Sequence, residues 1–267
     1  MTYDSDYRVR LLNVELHNFQ NVQNGVISLP CNKGDTLFED CADIVGIYGQ
    51  NGSGKTAFVR AMAILKAVLR GDNVAKAVPN VQDYIAIGKE SATLKFKFSI
   101  TNGDSFYMAL YEFTLQKSKD DGISVVTEKL SYWVFADNRW SVKQVLMETS
   151  PDNSDLFTPQ VRIPEITLRR KEYLVDLHVA KKQAEKESSS FVFCKDMVQH
   201  ITKKVGNVVY ADVVGALADY GVFDLWVISN RDSGLINADL VLPFAFKYND
   251  GKTVSIDRKS TRLNSSH

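Results

Sequence analysis

Residues 49–56 read Gly49-Gln50-Asn51-Gly52-Ser53-Gly54-Lys55-Thr56. Two glycines with four residues between them, then lysine, then a hydroxyl residue, is the Walker A spacing. At ordinary glycine usage it arises by chance in roughly 1% of chains this size. Gly49, Gly52 and Gly54 let the backbone curl through conformations that a Cβ forbids. A curled backbone turns successive N–H groups inward and makes an anion nest, to which Gln50, Asn51 and Ser53 contribute their amides. Lys55 is expected to reach the β- and γ-phosphates as a point charge, and the Thr56 hydroxyl to ligate Mg²⁺. The expected ligand is a nucleoside triphosphate, ATP with Mg²⁺.

Such a loop needs a strand before it and a helix after it. Ile44–Tyr48 is a short apolar run, expected to be the buried strand. Ala57–Leu69 carries Phe58, Ala61, Ile64, Leu65, Val68 and Leu69 at helical spacing, and Gly71 is the expected stop. The helix adds its positive end to the nest. Upstream, Val9–Phe19 reads as a strand and Val26–Leu29 as a second one after an Asn24-Gly25 turn, followed by a polar loop over Pro30–Asp40. Downstream, Leu94, Phe96, Phe98 and Ile100 alternate with polar residues, Asn102-Gly103 signals a hairpin, and Tyr107–Leu115 returns. Asp120-Asp121-Gly122 turns again. Ile123–Phe135 and Trp140–Met147 read as two more strands around Asp137-Asn138. Pro151, Pro159 and Pro164 mark a linker. Glu165–Ser188 and Phe191–Val205 read as helices, and Asn207–Ile228 as a strand and a helix.

Other residues are weighed against plainer roles. Asp212 ends the apolar run Val208–Ala211 and is the best Walker B candidate, but Val213 follows it where a glutamate is wanted, so a capping or surface aspartate is expected. Asn32-Lys33-Gly34-Asp35 matches the guanine-reading N-K-x-D pattern, but it precedes the phosphate loop, and a loop turn is expected. Arg169, Arg170, Lys171, Lys181, Lys182, Lys186, Lys203 and Lys204 form the one basic concentration; interleaved acids make it a solvated helix face, with DNA backbone contact as the alternative. His17, His178, His200 and His267 lack metal spacing. Tyr132, Trp133 and Trp140 fit sheet packing better than base stacking.

Hydrophobic residues make up 45% and charged residues 24% of 267, enough to build a core. Formal net charge is zero, so any contact with nucleic acid must be local. Cys31, Cys41 and Cys194 are too few and too scattered for a disulfide framework or zinc, and are read as reduced thiols. The acidic and basic residues of the first ten positions argue against a signal peptide, and Asp212, Asp219 and Asp224 interrupt the most apolar stretch. No membrane association and a cytoplasmic location are expected.

Gly-Gln-Asn-Gly-Ser-Gly-Lys-Thr resembles the ABC-type phosphate loop. Leu16-His17-Asn18-Phe19-Gln20 resembles the strand end of SMC/RecF-like ATPases, although Gln20 stands where those often carry a basic residue. Phe58–Leu65 is similar to their following helix. Val9–Gly71 as a whole resembles the start of AAA-type ATPases related to SMC, RecF and the OLD nucleases, many of them abortive-infection or phage-defence proteins. The resemblance implies an α/β P-loop NTPase fold: an ABC-ATPase-like N-terminal lobe (1–71), an antiparallel β part (91–147) and a helical insertion (165–205) within a region 1–256. It implies a homodimer of ATPase heads that closes on ATP and opens on hydrolysis, acting on nucleic acid or an effector protein. The signature, Walker B and switch motifs of that family have no counterpart before Ile256, so no catalytic residue is assigned here and this chain alone is expected to hydrolyse ATP very slowly. Residues 257–267 resemble a translated sequencing-library adapter, which would place a break near Ile256. The competing readings are a transporter nucleotide-binding subunit and an ATP-sensing interaction domain without turnover.

Overall fold

The computed structural model describes residues 7–29, 45–78, 80–103, 105–117, 122–149, 171–194, 209 and 211–227. The chain divides into two compact units, Met1–Trp226 and Val227–His267, and only Val227 of the second falls among the described residues. The fold is mixed α/β: a seven-stranded antiparallel sheet with a few helices.

The strands are β1 (Tyr7–Phe19), β2 (Val22–Ser28), β3 (Ser91–Asn102), β4 (Ser105–Lys117), β5 (Ile123–Ala136), β6 (Arg139–Trp140) and β7 (Gln144–Thr149). Their order is β2-β1-β3-β4-β5-β6, with β7 also paired to β5. The alternation seen in the sequence is realised. Leu94, Phe96, Phe98 and Ile100 of β3 are buried, as are Tyr107, Ala109, Tyr111, Phe113 and Leu115 of β4. On the opposite face, Glu15, Lys95, Glu112, Lys129 and Glu148 lie side by side across five strands. Charges of alternating sign therefore face one another, with Lys95–Glu112 at 3.2 Å and Lys129–Glu148 at 2.9 Å.

Helix α1 spans Lys55–Leu69, two residues earlier than expected. Gly71, at φ +66°, closes it as anticipated. Its N–H bonds Val68 O and the Asp72 N–H bonds Ala67 O, the paired bonds of a Schellman motif. A Cβ on Gly71 would lie 2.5 Å from Phe193 O, so only glycine allows that approach. Helix α2 (Val74–Ala77) is capped by Asn73, whose side chain accepts from the Lys76 N–H. Helix α3 (Lys171–Glu187) buries Ala180 and Ala184 while Lys182 and Lys186 stay exposed, a solvated face as expected. Residues 211–224 are helical, with π-helical turns at Ala211–Gly215 and Tyr220–Asp224 around Ala216–Asp219. They pack on the sheet through Tyr220 against Phe98 and on α1 through Gly221 against Leu69. No helix among the described residues is long and apolar enough to cross a membrane.

Several expectations are corrected. Val45–Gln50 has no regular structure, and Tyr48 is 94% exposed. An apolar run becomes a strand only where an edge accepts its N–H and C=O groups. β1 is paired on both sides, by β2 and β3, and over its described residues the run does not add to the outer side of β2 or to any other strand. The first hairpin turns at Gln20-Asn21, between the paired Phe19 and Val22, not at Asn24-Gly25. Gln20 sits at φ 53°, while Asn24 is paired inside β2 and its side chain is engaged by His17 at 2.8 Å. The strand expected over Trp140–Met147 is broken at Ser141–Lys143, where the Ser141 hydroxyl and N–H both bond the Val134 backbone. Asp137 and Asn138, both at positive φ, make the tight turn before it. Phe191–Phe193 is a bend and turn instead of a helix start, and 211–227 contains no strand. Pro30–Asp40, the Asn32–Asp35 motif, the 151–164 linker, Arg169, Arg170, Lys203, Lys204 and the 257–267 tail lie outside the described residues.

Candidate functional site

The glycine-rich loop leaves the irregular 45–50 segment and runs directly into α1. Gly52 (φ 85°) and Gly54 (φ 91°) occupy the left-handed region, which gives the loop its curl. A Cβ on Gly54 would also lie 2.9 Å from Val22 Cγ2. The Ser53 N–H returns to Gln50 O at 3.2 Å, and the Phe58 N–H bonds Gly54 O at 3.0 Å to open the helix. Gly54 is the N-cap and offers no side-chain acceptor, and the first turn carries no acidic residue. The positive end of a 15-residue helix is thus left without a side-chain cap at the loop.

The Lys55 ammonium folds back over this loop. It donates to Gly49 O at 2.6 Å and Gln50 O at 2.7 Å, and lies 3.5 Å from Ser53 Oγ. The eight predicted residues are therefore contiguous and curled, with the lysine held over its own loop. Gln50, Asn51, Ser53 and Thr56 are exposed; Thr56 stands on the first turn of α1. Among the described residues no group of three His, Cys, Asp or Glu side chains could hold a metal ion.

One contributor escaped the sequence reading. Asn21, at the tip of the β1–β2 hairpin, donates its side-chain amide to Gly52 O. The hairpin is aimed there by Tyr84–Ala86: the Gln20 N–H bonds Tyr84 O, the Ala86 N–H bonds Asn18 O, and Phe19 bridges Ile85. Tyr84 in turn packs edge-on to Phe19 and carries Arg60 of α1 over its ring at 5.0 Å. Positive φ at Asn18 and Gln20 is the local signal, since asparagine tolerates it well but glutamine does not.

Asp212 is neither exposed nor near the loop. It is 4% exposed and accepts from Tyr107 Oη at 2.7 Å, Asn102 Nδ2 at 3.0 Å and Tyr7 Oη at 3.3 Å. Burial first, then this carboxylate, pushes the Tyr107 phenol up to about 12. Tyr7 and Val14 are seven residues apart on β1, about 23 Å at the usual strand rise. Val14 lines the cavity beside Lys55. A second ruler agrees: Gly221 meets Leu69, about 21 Å along α1 from Lys55. Asp212 clasps the 211–224 helix to β1, β3 and β4, and its Walker B candidacy fails in this arrangement.

A second buried carboxylate had no sequence signal. Glu128 lies on the apolar face beside Phe113 and is 3% exposed. It accepts from Tyr111 Oη (2.5 Å), Ser190 Oγ (2.5 Å) and the Phe191 N–H (2.6 Å). Burial raises its pKa, which these hydrogen bonds partly offset. Glu128 and Ser190 Oγ also take the N–H groups of Phe191 and Phe193, which ties this segment to the sheet. Tyr132 and Trp140 are packing residues as expected. Tyr132 is buried with its hydroxyl on Gln144, and Trp140 packs on Leu12 and Phe135.

Fold and site together define a mixed α/β protein with an antiparallel sheet and a glycine-rich loop at the head of a helix. No family model matches the chain, and no curated protein matches it.

Proposed function

We propose that this chain binds a nucleoside triphosphate, Mg-ATP, on residues 49–56, as the N-terminal region of a P-loop ATPase of the SMC/RecF/OLD-like kind. The supporting observation is the position of Lys55. Its ammonium lies over a loop curled by two left-handed glycines, at a helix end without a side-chain cap, held by two carbonyls of that loop. Those carbonyls are neutral partners. A polyphosphate offers the same ammonium charged oxygens, and charge-assisted bonds are the stronger kind. Binding therefore swings Lys55 from Gly49 O and Gln50 O to the phosphates, while the loop amides and the α1 dipole take the remaining charge. Thr56 supplies the hydroxyl for Mg²⁺. The dimer of heads, and action on nucleic acid or an effector in phage defence, follow from the resemblance alone.

Binding without turnover is a second reading, favoured by Asp212 being committed to Tyr7, Asn102 and Tyr107. Calorimetry with Mg-ATP tests the main proposal: wild type binds and Lys55→Ala weakens binding roughly 100-fold, two charged bonds at ~1.5 kcal/mol each. Undiminished binding by Lys55→Ala refutes it. Phosphate release by the full-length protein, with and without DNA, separates the two readings.

A further inference from the structure

The outer face of the sheet changes character along its length. In the ladder described above, Lys95 meets Glu112 and Lys129 meets Glu148. The next cross-strand row on that face runs Lys97, Leu110, Ser131, and the row after it pairs Met108 with Trp133. Here the cations meet a ring. The Lys97 ammonium lies 6.0 Å from the centre of the Trp133 ring, and Lys143, from the segment between β6 and β7, lies 5.5 Å from it. Trp133 is half-buried and Lys143 is exposed. Ser131, two residues before Trp133 and in the row of Lys97, is 1% exposed, and its Oγ has no hydrogen-bond partner among the described residues. A buried hydroxyl left this way calls for a partner from outside, water or ligand.

We infer that Trp133, Lys97 and Lys143 form a docking site for single-stranded nucleic acid on the outer face of the sheet. Alternation along β5 favours a packing role for Trp133; the two ammoniums over its ring change that reading. A cation over a ring near the surface is held weakly. A phosphate oxygen offers the same ammonium a charge-assisted bond, which is the stronger kind. Once the lysines move to phosphates, the indole face is free for a base, and every base has a π-face to lay on it. A single strand presents phosphates and unstacked bases together. A duplex hides its base faces, and an acidic peptide brings anions without a flat partner for the indole. Formal net charge is zero, so the attraction is local and salt should weaken it. The site uses none of residues 49–56 and stands apart from the phosphate-loop reading.

Fluorescence anisotropy on the whole chain, with a labelled oligothymidylate of about 15 nucleotides and at several salt concentrations, tests this. Wild type should bind the strand. Trp133→Ala should weaken it about fivefold or more, as loss of a stacking ring does, while Trp133→Phe keeps most of the affinity. The Lys97→Ala/Lys143→Ala double variant, which leaves the ring in place, should flatten the dependence of log affinity on log salt by about 0.7 per lysine. Lys129→Ala, whose ammonium is engaged by Glu148, should leave that slope as it is. Circular dichroism confirms the fold of each variant. The inference is overturned by no binding of the strand, by equal binding in the Trp133→Ala and double-lysine variants, by a duplex of the same length binding as tightly, or by polyglutamate displacing the strand as well as unlabelled oligothymidylate does. Lys55→Ala should bind the strand as wild type does; loss of the strand in that variant would put it on the glycine-rich loop and also overturn the inference. Failure here leaves the ATP reading standing, and failure of ATP to bind leaves this one standing.

Discussion

The glycine-rich loop and the buried carboxylates hold their polar groups in opposite ways. Lys55 is kept by two neutral carbonyls of its own loop, which it can leave without stranding a buried partner. Glu128 and Asp212 each gather three donors from separate parts of the chain, inside the protein. Glu128 joins β4, β5 and the 190–191 segment; Asp212 joins β1, β3, β4 and the 211–224 helix. A polar group whose partners are complete and buried is part of the framework, since removing it orphans donors that water cannot reach. A polar group whose partners are local and exchangeable is available to a ligand. The two acids with the most conspicuous surroundings therefore belong to the framework, and the modest lysine is the group our proposal assigns to the nucleotide.

This contrast can be broken experimentally, and the largest effect should come from Glu128→Ala. It leaves Tyr111, Ser190 and the Phe191 N–H without their acceptor, at a cost of roughly 3–4 kcal/mol of stability in urea unfolding. A loss under ~1 kcal/mol would mean that the site rehydrates and that the framework role is overstated. Lys55→Ala should show the mirror image. About 3 kcal/mol of nucleotide binding disappears, while unfolding shifts by less than ~0.5 kcal/mol. Next comes Asp212→Asn, which keeps one acceptor oxygen but turns an amide donor toward another donor. About 1–2 kcal/mol of stability should go, with nucleotide affinity unaltered; altered affinity would reconnect Asp212 with the loop.

Proton uptake sharpens the same point. The Glu128 carboxyl is raised above its ordinary value of 4.5, burial being the main cause. A carboxyl raised in the folded state takes up a proton on folding, so its contribution to stability falls as pH climbs through the interval above 4.5. Asp219 and Asp224 are raised in the same direction by burial. Glu128→Gln should flatten this fall relative to wild type in urea titrations at successive pH values, and an unchanged slope would deny Glu128 its part. The smallest effect is expected on the outer face. Lys129→Ala removes a half-exposed pair with Glu148 and should cost no more than ~0.5 kcal/mol.

Much of the framework was legible in the chain. The period-two alternation over Leu94–Ile100 and Tyr107–Leu115 named the correct inward faces, because an antiparallel strand buried on one side must alternate. Spacing of three and four placed α1, and Gly71 ended it, since only glycine fits a left-handed residue pressed against Phe193 O. The curl of the 49–56 loop was legible as well, because it depends on local glycines. Illegible were the contacts that cross long stretches of chain. Asn21 meets Gly52 over 31 residues, Glu128 meets Ser190 over 62, and Tyr107 meets Asp212 over 105.

The sequence alone determined what is local: dihedral freedom, hydrophobic period, and the order of groups along the phosphate loop. Tertiary structure alone decided that Ile44–Tyr48 finds no sheet edge over its described residues, that Asp212 lies a helix length from Lys55, and that Lys97 and Lys143 converge on Trp133. Each of these depends on which segments pair and which side chains converge in space. Packing settles such matters collectively, and no single window of residues carries them.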